Sequence, residues 1–120
     1  MTSKIKVSFE ITDIYNLGDF RAFIKFLLSN DTKYNVYIIS NNDSSNYIHA
    51  VGEQLGIELS NRIICNFNVD KLQAITDNNI DIHLDGIYSF VTSVENETEA
   101  YGILVDSKVD KYGVKQRYVE

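Results

Sequence analysis

Apolar residues recur along the chain in two rhythms. Short runs, alternating or continuously apolar, are followed by stretches with a period near 3.6, the pattern of repeated β–α units. Residues 4–11 place Ile5, Val7, Phe9 and Ile11 on one face of a first strand. Asn16 then caps a helix over residues 17–29, with Asp19 in its first turn and Phe20, Phe23, Ile24, Leu27 and Leu28 inward. Residues 36–40 form a second, continuously apolar strand. A polar loop at 41–45 leads to a second helix running to about Leu55, with Ile48, Val51 and Leu55 at helical spacing and Gly56 at its C′ position. Residues 63–65 predict a short third strand, and Val69, Leu72 and Ile75 a third helix over 69–76. A fourth strand spans 80–84 and ends at Asp85-Gly86. Ile87, Phe90, Val91 and Val94 define a fourth helix, and residues 100–105 a fifth strand ending at Asp106. The tail, residues 107–120, alternates weakly and suits a hairpin arm or an edge strand.

This order predicts an α/β fold: a three-layer, doubly wound, mainly parallel five-stranded sheet with right-handed crossovers. Residues 1–106 form the domain, and residues 107–120 pack on it or extend it. One feature runs against the pattern. Lys6 and Ser8 interrupt the first strand, whereas a central strand covered on both faces should be more continuously apolar.

Composition narrows the class. The chain has 120 residues, 44% hydrophobic and 23% charged, which suits one globular domain with its own core. A single cysteine, Cys65, cannot form an internal disulfide, which points to a reducing compartment. It lies in an apolar run with no histidine or glycine-rich turn beside it, so it reads as a buried strand residue. No secretory stretch and no run near ~18 apolar residues is present, so a cytoplasmic protein without a membrane span is expected. The formal net charge of −6, with scattered basic residues, disfavours a nucleic-acid partner. An acidic surface suits solubility or a basic protein partner. Asn, Ile, Lys and Tyr are plentiful and have AT-rich codons, as in the genomes of many phages.

In a doubly wound sheet ligands bind outside the carboxyl ends of the strands. Those ends carry Glu10, Thr12 and Asp13 after the first strand, Ser40 and Asn41 after the second, and Asp85 after the fourth, while Lys71 starts the third helix. Carboxylates suit a divalent cation, and a hydroxyl with a lysine suits a phosphate. Each residue also has a plain reading. Ser40 and Asn41 can end a strand and cap a helix, Asp85-Gly86 can be a turn, and Lys71 can be a solvated helix residue. His83, within a strand, reads as packed or hydrogen-bonded, and His49 as a surface residue. No glycine-rich phosphate loop or zinc spacing occurs.

The stretches Lys6-Val7-Ser8-Phe9-Glu10-Ile11-Thr12, Val36-Tyr37-Ile38-Ile39-Ser40-Asn41, Asp70-Lys71-Leu72 and Asp81-Ile82-His83-Leu84-Asp85-Gly86 follow the order and spacing of four motifs. Over residues 4–106 the chain therefore resembles the haloacid dehalogenase-like (HAD-like) superfamily. Its members are mostly Mg²⁺-dependent phosphatases that work through an aspartyl-phosphate, with a first motif DxDxT. The resemblance implies that Glu10 stands at the nucleophile, Thr12 at the general acid/base and Ile14 at the motif threonine. It implies phosphate contacts from Ser40, Asn41 and Lys71, and a metal site at Glu10 and Asp85, with Gly86 where many members have a second acid. In a different register Asp13 is the nucleophile and Tyr15 takes the acid/base place.

The departures carry the functional expectation. Glu10 is one methylene longer than Asp, and a displacement of about 1 Å can cost ~100-fold in rate. Thr12 cannot exchange a proton near neutral pH as a carboxylate does. The chain is therefore expected to be a degenerate, capless member that is catalytically inactive. It would bind a protein partner or a phosphorylated small molecule, and possible homodimers would pair through the tail. The alternative is a phosphohydrolase of altered first motif that uses Mg²⁺, the only cofactor either reading implies.

Overall fold

A computed structural model describes residues 4–10, 17–41, 63–66 and 69–105, with side chains of the first helix from residue 22 onward. The elements in chain order are β1 (Ile5–Phe9), α1 (Leu17–Ser29), β2 (Tyr34–Ile39), β3 (Ile63–Asn66), α2 (Lys71–Asp77), β4 (Ile82–Asp85), α3 (Tyr88–Glu97) and β5 (Tyr101–Leu104). The second predicted helix, Gly56, His49, the Asn16 cap, Asp106 and the 107–120 tail lie outside the described residues, as do Thr12, Asp13, Ile14 and Tyr15.

The strands form one five-stranded sheet in the order β3-β2-β1-β4-β5, and every pairing is parallel. The chain steps outward from β1 through β2 to β3, then returns to the far side of β1 with β4 and β5. Such an order places the crevice between β1 and β4, where the winding reverses.

The helices lie on both faces, because the strands that form the sheet's middle alternate two apolar sets. Val7, Phe9, Val36, Ile38, Ile63 and Leu84 pack against Ile24, Leu27 and Leu28 of α1. Tyr37 and Ile39 pack on the other face with Ala74 and Ile75 of α2, Val94 of α3, Ile80 and Ala100. Each fully buried aliphatic or Phe side chain contributes roughly 1.5–3 kcal/mol by leaving water. The four-residue edge strands leave Ile64, Tyr101 and Ile103 exposed. Among the described residues no helix is long and apolar enough to cross a membrane.

Element boundaries shift for local reasons. α2 starts at Lys71, because Asp70 is its N-cap and accepts from the Gln73 N–H. β4 extends to Asp85, which pairs with Leu104 of β5. At the end of α2, Asn79 takes a left-handed conformation (φ 53°), which Asn tolerates better than most residues. α3 lies so close to β5 that a Cβ on Gly102 would sit 2.8 Å from the Val91 carbonyl oxygen.

Candidate functional site

The alternation in β1 has a partner in β4. Lys6, Ser8 and Glu10 share one face of β1, and Asp81, His83 and Asp85 repeat the same spacing along β4. The register sets Ser8 against His83 and Phe9 against Leu84. Two polar ladders thus meet at the sheet's centre, on the face covered by α2 and α3. The polar side chains of this face are tolerated because each meets a polar group: Lys6 the Asn78 carbonyl, Ser8 the His83 ring across the strand boundary, and Glu10 the Lys71 ammonium.

At the amino end the Lys6 N–H donates to Asp81 Oδ2 (2.8 Å), and the Asp81 N–H to the Lys6 carbonyl (2.9 Å). In the middle Ser8 Oγ lies 2.6 Å from His83 Nδ1, and His83 Nε2 lies 2.9 Å from Asp85 Oδ2. Ser8, His83 and Asp85 are each fully buried. At the carboxyl end Lys71 Nζ donates to the same Asp85 Oδ2 (3.0 Å) and stands 3.9 Å from Glu10 Oε2. Asp85 Oδ1 accepts from the Ile87 N–H (3.0 Å), which ties the carboxylate to the start of α3. Phe90 of α3 closes the cluster. Its ring lies 4.2 Å from Lys71 Nζ, a cation–π distance, and meets the His83 ring edge-on at 5.5 Å.

The charge state follows. Burial by itself raises the Asp85 carboxyl pKa. The His83 hydrogen bond and the Lys71 charge, with the charge of His83 and the Lys71 hydrogen bond adding to them, more than offset that and hold it below the usual carboxylate range. Asp85 is therefore ionised and only accepts, so His83 Nε2 carries the proton. The ring's other nitrogen, Nδ1, shares a hydrogen bond with the Ser8 hydroxyl.

Of the residues expected at the site, Glu10, Lys71 and Asp85 come together. Glu10 is 2% exposed and its N–H donates to the Leu84 carbonyl, which anchors it beside β4. The Lys71 side chain is only 9% exposed and ion-paired, so it is not the solvated helix residue its sequence context allows. Ser40 is fully buried at the end of β2. Its N–H donates to the Asn66 carbonyl (3.0 Å) and its carbonyl accepts from Val69 (3.4 Å), joining the ends of β2 and β3 to the approach of α2. Asn41 is exposed in a bend. His83 is packed and hydrogen-bonded, as its place in a strand suggests. Cys65 is partly buried, and burial pushes its thiol pKa up, which keeps it protonated and weakly nucleophilic at neutral pH.

Three participants were not singled out for the site: Ser8, His83 and Phe90. The first two were signalled by the matching i, i+2, i+4 polar positions of the two strands. Phe90 had no signal beyond its place on an apolar helix face. A further feature stands near Ser40: among the described residues the buried Asn66 Nδ2 amide meets no hydrogen-bond acceptor, and a ligand could satisfy it.

The divalent cation implied for Glu10 and Asp85 can be tested against these contacts. Asp85 already accepts three hydrogen bonds, out of about four that a carboxylate offers. Lys71 holds the space between the two carboxylates, and a bridging metal would have to displace it. Among the described residues no group of three or more His, Cys, Asp or Glu side chains is gathered to hold a metal. The cluster as it stands does not fit a divalent ion.

The fold and site together define an all-parallel α/β domain with a buried carboxylate pair at its switch point, faced by the ammonium of Lys71. No family model, no curated protein and no solved structure matches this chain.

Proposed function

We propose that this chain is a degenerate HAD-like domain that acts as a binding or regulatory protein and not as a phosphatase. The observation that carries the reading is the state of Glu10. At the position where the resemblance expects an attacking carboxylate, the side chain is almost fully buried and faces the ammonium of Lys71. A nucleophile has to reach phosphorus in line with the leaving oxygen. A buried, longer carboxylate held among protein charges is poorly placed for that.

The rim of the crevice supports a macromolecular partner. Ile87 and Tyr88 are 40% and 66% exposed, directly after Asp85 and Gly86. An exposed aromatic beside the buried polar cluster is the kind of anchor that protein interfaces favour. A phosphorylated ligand held by Ser40, Asn66 and Lys71 is the other occupant the same strand ends would accept.

The test is hydrolysis of p-nitrophenyl phosphate by the pure protein in Mg²⁺, beside Asp85→Asn. The expected result is no turnover above the variant, together with a protein partner or phosphorylated ligand recovered at micromolar strength. Turnover that vanishes in Asp85→Asn would overturn the reading in favour of a phosphohydrolase. Failure to find any occupant in both pull-downs and metabolite screens would also remove it.

A further inference from the structure

We infer that the ammonium of Lys71 is the resident cation of the Glu10–Asp85 pair, and that a divalent metal enters this site only when that ammonium is removed. The inference deepens the binding role proposed above, since it makes ligand capture at the strand ends independent of metal.

Six contacts carry it. Lys71 Nζ lies 3.0 Å from Asp85 Oδ2 and 3.9 Å from Glu10 Oε2, within the space a bridging ion would use. The Phe90 ring, 4.2 Å from Nζ, supports the ammonium from another side and favours a monovalent, soft-faced cation there. Asp85 cannot swing toward a new ligand without cost, because Ile87 N–H holds one oxygen and His83 Nε2 the other. His83 is itself locked through Nδ1 to Ser8. Asp85 is thus clamped in the orientation that serves Lys71.

The properties of Mg²⁺ point the same way. It requires near-octahedral oxygen ligation and gives up its water reluctantly. A carboxylate with three of its acceptor positions in use offers it little, and a buried ammonium at contact distance repels it. Removing the ammonium ends the repulsion and frees one acceptor position on Asp85, while the His83 and Ile87 contacts keep the carboxylate in place. Two buried carboxylates that have lost the Lys71 charge would then recruit a cation from solution.

The experiment uses Mn²⁺ alone as a paramagnetic probe of the assigned amide spectrum of the full chain. In the wild type, equimolar Mn²⁺ is expected to cause no selective loss of the Glu10, Asp85 and Gly86 signals relative to amides near surface carboxylates such as Asp31 and Asp77. In Lys71→Met those three signals should disappear selectively, and Mg²⁺ should raise the melting temperature of the variant but not of the wild type. Lys71→Gln, which keeps a donor toward Asp85, provides the same readout where the Met variant does not fold. Selective loss in the wild type would overturn the inference. So would folded Lys71 variants that keep all three signals in excess Mn²⁺. The two readings fail separately. Metal entry into the wild-type site without phosphate-ester turnover removes this inference and leaves the binding role. Turnover without metal entry removes the binding role and leaves this inference.

Discussion

Asp85 is a fully buried carboxylate that stays charged because three donors converge on it: Lys71, His83 and the Ile87 N–H. Its pKa in the folded chain lies below the ordinary value, so the unfolded chain takes up a proton there first as pH falls. The stability it contributes is therefore fully present above the unfolded carboxylate range, near pH 4, and is lost as pH drops through the lower folded value. Asp85→Asn should be clearly less stable than wild type at neutral pH. The gap should narrow only below about pH 4, where the unfolded wild-type chain takes up a proton that the folded one still refuses. Urea titrations of both proteins at several pH values check this. A gap that does not change with pH would mean the carboxylate's charge is not what its neighbours stabilise. At this scale the chain was partly legible. Glu10, Lys71 and Asp85 stood out as charged residues at strand ends. Ser8 and His83 did not, because a short polar residue inside a strand has many readings until its neighbour across the sheet is known.

Elements obeyed local chemistry where the relevant contacts are close in sequence. The Asp70 cap starts α2 because an Asx oxygen satisfies an orphan N–H three residues on, a contact that no distant residue influences. The polar alternation of β1 is different. It looked like a mark against a central strand, and it becomes intelligible once β4 lies alongside with the same alternation. Gly102 tests the packing of one element on another. A methyl there would stand 2.8 Å from the Val91 carbonyl and 2.9 Å from Val91 Cγ1, and backbone cannot yield as a flexible side chain does. Gly102→Ala should therefore destabilise the protein by about 1–3 kcal/mol, despite the better strand and helix propensities of alanine. Thermal or denaturant unfolding measures it, and a neutral result would show that α3 can move away from β5 without loss.

Across the whole molecule, stability rests on two apolar clusters that the sheet separates. Ile38 is fully buried in the one under α1, whereas Ile103 on β5 is 43% exposed. Ile38→Ala should cost about 2–5 kcal/mol, and Ile103→Ala much less, nearer the ±0.5 kcal/mol usual at surface positions. Equal costs would contradict the division into a covered centre and an open edge. The sequence by itself determined the α/β class, the five strands, the described helices and the residues that end the strands. These follow from hydrophobic period and from caps, turns and charges that act over a few residues. Only the tertiary structure decided the strand order, and with it which strand ends become neighbours. Placing β4 beside β1 brought Asp85 to Glu10, lined His83 up with Ser8, and let α2 deliver Lys71 between the two carboxylates. Residues some seventy positions apart carry no local mark of their pairing, because the free energy that joins them comes from shared burial and matched charge in the folded sheet.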